Sequence, residues 1–237
     1  GLSVTTGTQN TIIGGLAGDA LTSGANNVAV GYLALSTEDT NGHNVAIGRK
    51  ALQNLNAGVD AYNVAVGSSA GESITTGTLN TLIGSLSGDA LTTGDSNVAI
   101  GYAAMGAADG SESRNVAIGY GALATMNSDA SNYNTAIGYS AGFNVTTGVQ
   151  NTIIGAQAGD SLTTGNHNVA IGFRALSDED TGSNSLAIGY YALNKQNNDS
   201  NNYNIAIGHS AGLEITTGTN NVLLGGLAGS NLVGGGY

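Results

Sequence analysis

The chain has 237 residues, with 39 glycines, no proline, no cysteine, no tryptophan and only 9% charged residues. An apolar content of 41% excludes a charge-solvated disordered chain, and glycine without proline or a three-residue period excludes collagen. The net charge of −11 leaves five scattered bases (Arg49, Lys50, Arg114, Arg174 and Lys195), which argues against nucleic acid and against an anionic lipid surface.

Read from the start, the chain enters in the middle of a repeat. The segment "GLSVTTGTQ" at Gly1 matches "GESITTGTL" at Gly71 and "GLEITTGTN" at Gly212. There is no initial Met and no signal-like stretch, so the expectation is a processed product or an excised piece of a longer array. No apolar run approaches the roughly 20 residues of a membrane helix, so no insertion of this segment is expected.

From Asn10 onward one core recurs, Asn-x-x-aliphatic-Gly. It begins at Asn10, Asn27, Asn44, Asn63, Asn80, Asn97, Asn115, Asn134, Asn151, Asn168, Ser185, Asn204 and Asn221. The spacings are 17 to 19 residues, and four coils sum to 70, 71 and 70. Long repeats therefore span 10–79, 80–150 and 151–220, with a terminal coil at 221–237, all in one domain covering 1–237. A coil this short cannot hold two helices, so the spacing predicts an all-β fold. The expected fold is a parallel β-solenoid of about 13 coils, each with two or three short strands, and a length of roughly 60 Å.

The columns fit that reading. Counting the leading Asn as zero, position +3 is aliphatic in every coil (Ile13, Val30, Ile47), +4 is always Gly, and +7 is always small. The recurring Asn, present in twelve of the thirteen cores, predicts a structural ladder, because an amide can both donate and accept along the stack. Its members are Asn10, Asn27, Asn44, Asn63, Asn80, Asn97, Asn115, Asn134, Asn151, Asn168, Asn204 and Asn221. The first and fourth coils of each long repeat carry a second aliphatic followed by Thr-Thr-Gly or a close match, which reads as another strand. The second and third instead carry polar loops, "STEDTNGH" at Ser36 and "SDEDTGSN" at Ser177, expected to bulge into solvent. The core reads Val-Ala-Ile or Thr-Ile-Ile, apolar on both strand faces. One face can fill the coil; the other needs cover from a neighbouring strand or another chain, and self-association is the favoured reading, with a monomer carrying an apolar stripe as the alternative.

The stretches "NVAIGYGA" and "NTAIGYSAG" resemble the head repeats of trimeric autotransporter adhesins and are similar to repeats of phage tail-fibre proteins. That resemblance covers nearly the whole chain through the Asn, aliphatic, Gly and Ala columns. It implies a left-handed β-roll, three chains about one axis, a surface-attachment role and an extracellular, cell-surface or virion location. The coils here are longer than the family's, and the 70-residue repeat departs from its pattern.

Candidate chemistry is sparse. Asp19, Asp89 and Asp160 share a column but lie four coils, roughly 19 Å, apart, too far for one metal. Calcium candidates are Glu38 and Asp39, and Asp178, Glu179 and Asp180, since hard cations prefer clustered oxygens; a solvated loop is the alternative. His43, His167 and His209 show no triad or zinc spacing. No catalytic residue is assigned and no cofactor is expected. Aromatic residues follow the invariant Gly in several coils (Tyr32, Tyr102, Tyr120, Tyr139, Phe173, Tyr190), and Tyr62, Tyr133 and Tyr203 close the third coil of each long repeat. The latter three are the candidate glycan contacts, with stacking along the stack as the alternative. The functional expectation is a non-enzymatic structural and adhesive fibre segment that assembles with itself, as a trimer or filament, and meets a host-surface glycan. A glycan- or calcium-binding module is the rival, and an ice-binding solenoid a more distant one.

Overall fold

A computed structural model describes residues 1–234. Gly235, Gly236 and Tyr237, the end of the terminal coil, lie outside the described residues. Two compact units are present: Gly1–Asn115 with Asn127–Ser131, and Val116–Met126 with the chain from Asn132 onward. The division falls inside the second long repeat, not at a repeat boundary.

Each unit is a parallel β-solenoid, and no helix occurs among the described residues. The first unit holds β1 (Thr11–Ile13), β2 (Val28–Val30), β3 (Val45–Ile47), β4 (Val64–Val66), β5 (Thr81–Ile83) and β6 (Val98–Ile100). The second holds β7 (Val116–Ile118), β8 (Thr135–Ile137), β9 (Thr152–Ile154), β10 (Val169–Ile171), β11 (Leu186–Ile188), β12 (Ile205–Ile207) and β13 (Val222–Leu224). Within each unit every strand pairs in parallel with the next, in register: Ile13 lies beside Val30, and Val30 beside Ile47. In the second unit Ile154, Ile171 and Ile188 follow one another in the same way.

Each coil carries one strand rather than two or three. The Thr-Thr-Gly runs do bond from coil to coil, but not as a ladder. Thr22 O accepts from the amides of Thr5, Thr6 and Gly7 at 2.9, 3.2 and 3.2 Å. Three successive donors converging on one carbonyl require a bend, which is incompatible with extended pairing.

The strand also shows which face fills the coil. The middle residue points inward: Ala29, Ala46, Leu82, Ala117 and Ile153 are buried. The flanking residues at +1 and +3 point out, so the invariant aliphatic column lies on the surface, with Ile13 61% and Ile47 38% exposed. A narrow coil admits one inward side chain per strand, small unless a facing glycine makes room. The β-branched residues that favour extended backbone then occupy the outer face.

The four-coil period is a packing cycle, because a large side chain at +2 faces a glycine at +8. A Cβ built on Gly88 would come within 3.0 Å of Leu82 Cδ2. Where +2 is alanine, a leucine or methionine at +8 fills the same space, as Leu35, Leu52 and Met105 do. These residues sit in the left-handed region, Leu35 at φ 50° and Leu52 at φ 48°, a strain of order 1–3 kcal/mol each that interior filling offsets. The fourth coil has small residues at both places. There Gly71 is hemmed in by Leu52 below, Leu82 above and Ile74 beside it, at 3.0, 2.7 and 3.1 Å from an added Cβ. Gly142 and Gly212 meet the same arrangement in the second unit. Four coils thus share one volume constraint, and a repeat of about 70 residues follows.

The glycine at +4 is set by conformation and by clearance. Gly48 has φ 138°, and a Cβ there would lie 2.2 Å from the Gly67 carbonyl oxygen of the next coil. No other residue fits between the two backbones.

Candidate functional site

The leading asparagines form a hydrogen-bonded ladder, continuous through the first unit and broken once, at Ser185, in the second. The Asn10 side-chain oxygen accepts the Asn27 amide at 2.9 Å, and Asn27 accepts Asn44 at 3.0 Å. In the second unit Asn134 accepts Asn151, and Asn151 accepts Asn168, both at 2.9 Å. The side-chain nitrogens close the coil on the other side. Asn63 Nδ2 donates to Gly77 O at 2.8 Å, and Asn204 Nδ2 to Gly218 O at 2.7 Å. Each buried amide therefore joins its own turn to the next coil, the pairing a buried polar group requires.

Ser185 interrupts this ladder, and Gln196 restores it. Gln196 is buried, and its Nε2 donates to Ser185 Oγ at 2.8 Å while its Oε1 accepts from Asn204 Nδ2 at 2.8 Å. The same Nε2 also donates to Glu179 Oε2 at 2.8 Å. The longer amide, entering from another part of the coil, spans the gap left by the short serine. Nothing in the repeat columns marks Ser185 as more than a conservative change. The signal is that Gln196 stands eleven residues after position zero, where Leu55 stands in the corresponding coil of the first long repeat.

The acidic runs divide between inside and outside. Glu38 and Glu179, also at +11, are buried, whereas Asp39 and Asp180 are half-buried and Asp178 is exposed. The expectation that these loops bulge wholly into solvent is corrected here. Each glutamate turns inward and gathers loop amides, because a buried carboxylate must be hydrogen-bonded. Glu38 Oε1 accepts from Asp39 N, Asn41 N and Asn41 Nδ2, each at 3.2 Å. Glu179 accepts from Gly182 N at 2.8 Å and Asn202 Nδ2 at 2.9 Å as well as from Gln196. Desolvation by burial pushes the Glu179 carboxyl above the usual carboxylate range, against the opposing pull of the Gln196, Gly182 and Asn198 donors. A third glutamate, Glu112, does the same work in the first unit, accepting from Gly110 N at 3.0 Å and Ser128 N at 2.9 Å. Its position four residues along the loop from the +11 place hid it from the column reading. Among the described residues, no group of three or more His, Asp or Glu side chains is arranged to hold a metal ion.

The tyrosines proposed to touch glycans are exposed and separate. Tyr62 belongs to the first unit, where its ring stacks on His43 with centroids 4.8 Å apart. His43 in turn lies 3.8 Å from Asp60. Tyr133 and Tyr203 belong to the second unit, four coils apart, roughly 19 Å by strand spacing, so they do not form one site. The aromatics after the invariant glycine do come together. Tyr120 stacks on Tyr139, Phe173 on Tyr190, and Tyr190 on His209, at 5.3, 5.4 and 5.1 Å.

These features define a parallel β-solenoid with an inward carboxylate-amide network, an outward aliphatic strand face and an aromatic column. Among known proteins, no family model, no curated protein and no solved structure matches the chain. No helix among the described residues is long and apolar enough to cross a membrane.

Proposed function

We propose that the chain is a non-enzymatic structural and adhesive segment of an extracellular fibre, on a cell surface or a virion, built by association of copies with their axes aligned. The observation that carries this reading is the outer strand face. Its +1 and +3 positions hold only Val, Ile, Leu and Thr, with no charge in any coil. An uncharged, mostly β-branched stripe of this kind along each unit favours burial against another surface. A second copy presents the same stripe at the same spacing, which makes it the natural cover. The resemblance of "NVAIGYGA" to adhesin head repeats supports the same assignment, and a left-handed trimer is the arrangement it suggests. In this reading the Asn ladder and the inward glutamates give stiffness without disulfides, and the turns are free for display.

The test is sedimentation velocity of the wild type and of Val45→Lys/Ile47→Lys, whose new charges lie on the outer face. The wild type is expected to be oligomeric at micromolar concentration and the variant monomeric with unchanged strand content. A wild type that stays monomeric at about 100 µM, where any association tighter than roughly −5 kcal/mol would be visible, overturns the proposal.

A further inference from the structure

One region of the second unit departs from the repeat at several columns together. The +5 column there reads Tyr120, Tyr139, Ala156, Phe173, Tyr190 and His209. Rings fill five of these six places, and the terminal coil has Gly226 at the same position. Tyr120 and Tyr139 are nearly parallel, 14° between planes, so they stack along the coil direction. The next residue in the column is Ala156, so the column carries no ring after Tyr139 in that coil. Tyr139 is more exposed than the other tyrosine and phenylalanine rings of this column, at 57%.

Two further departures flank the same place. Gly121 stands at +6, where every other coil has a side chain. The reason is Phe143, whose ring edge would lie 3.2 Å from a Cβ at Gly121. Phe143 is itself the lone aromatic in the +9 column. The glycine and the phenylalanine are thus one paired change, and together they bring a second ring beside Tyr139.

Polar groups complete the wall. Tyr139, Phe143, Asn144, Gln157 and Asp160 all line one open hollow of about 370 Å³, within the range of small-ligand sites. Asn144 Nδ2 donates to Asp160 O at 2.7 Å, and Gln157 Oε1 accepts from Arg174 Nε at 3.0 Å, so both amides are held in place. Burial pushes the Asp160 carboxyl above its usual range, partly offset by its own backbone hydrogen bond and by the Arg174 charge. An apolar ring face beside fixed amides and a carboxylate suits a ligand with one CH-rich face and a rim of hydroxyls. An anionic ligand would meet Asp160 and a net charge of −11.

We propose that this hollow binds a neutral pyranose, seated against the Tyr139 and Phe143 rings, with Asn144, Gln157 and Asp160 facing its hydroxyls. The site is distinct from Tyr62, Tyr133 and Tyr203. It lies within the second unit and requires no assembly, so it stands or falls separately from the fibre proposal.

The experiment is saturation-transfer NMR on the full chain with the methyl glycosides of glucose, galactose, mannose and N-acetylglucosamine. At least one should bind with a Kd on the order of 1 mM, about −4 kcal/mol. Asn144→Trp, which fills the hollow from its exposed rim, should abolish the signal, and Phe143→Ala should weaken binding about tenfold. Asn144→Ala, an exposed change that leaves the core untouched, should weaken it severalfold, while Tyr62→Ala and Tyr203→Ala should leave it unchanged. Absence of binding by all four glycosides at about 10 mM overturns the proposal, as does binding that survives both Asn144→Trp and Phe143→Ala.

Discussion

The two units treat the same place in the coil differently. Eleven residues after the leading Asn, the second and third coils of the first long repeat carry Glu38 and Leu55, and those of the third carry Glu179 and Gln196. All four side chains are buried. Glu38 is satisfied chiefly by its own loop, with Ala57 N of the next coil at 3.5 Å, and Leu55 fills space. Glu179 instead joins Gln196, which reaches Ser185 and Asn204 and carries the Asn ladder across its one weak rung. The lesson is that the repeat fixes where a side chain goes, while its chemistry follows from what the neighbouring coil lacks.

The largest expected effect should erase the difference between the units. Gly48→Ala and Gly189→Ala each place a Cβ within 2.2–2.3 Å of the next coil's carbonyl oxygen, at φ 138° and 139°. Each should cost about 4 kcal/mol or more, since the neighbour in contact is backbone and cannot rotate away. Thermal unfolding should show equal losses for the two variants. A tolerated alanine in either unit would mean that the coils there are farther apart than the structure has them.

A smaller effect should sharpen the difference. Gln196→Leu leaves Ser185, Glu179 and Asn204 short of partners, a loss of about 2–3 kcal/mol. Adding Ser185→Asn should recover part of it by rebuilding the ladder, a coupling that a double-mutant cycle by chemical denaturation would measure. The reverse exchange, Leu55→Gln, should cost a similar amount with no partner to recover it, because Asn44 already accepts the Asn63 amide at 3.1 Å. Additivity of Gln196→Leu and Ser185→Asn would show that Gln196 does not bridge the gap.

The smallest effect is in the pH dependence. The Glu179 carboxyl titrates above its unfolded value, chiefly through desolvation. Between those two values the folded chain holds more protons than the unfolded chain, so this group's contribution to stability falls as pH rises through that window. Glu179→Gln removes the titration. The Tm of the variant relative to wild type should therefore climb with pH across the acid range and then level off. A flat or descending difference would place the carboxylate in a better-solvated setting than the buried one described.

Much of this fold was legible in the sequence, because stacking forces like residues into columns. The Asn at zero, the Gly at +4 and the small residue at +7 each announce a backbone or volume constraint repeated in every coil. The inward face was not legible. Val-Ala-Ile is apolar on both sides, and hydrophobicity alone favours the bulky Ile47 over Ala46 as the buried residue. Only the narrowness of the coil reverses that choice. Glu38 and Glu179 were equally hidden, since a run such as Asp178-Glu179-Asp180 reads as solvated until the backbone turns its middle member inward. The hollow beside Tyr139 could have been suspected from Gly121 and Phe143, both single exceptions in their columns, but their pairing depends on a contact between successive coils.

The orientation of the strands is the claim on which the rest depends, and single cysteines test it cleanly because the chain has none of its own. Ala46→Cys, Ile47→Cys, Ala206→Cys and Ile207→Cys would be labelled with a maleimide in dilute, monomeric protein. Positions 47 and 207 should react in the native state in both units, and positions 46 and 206 only after denaturation. Protection at 47 and 207 with free reaction at 46 and 206 would turn the strands inside out and remove the outer aliphatic face from which the fibre is proposed to assemble.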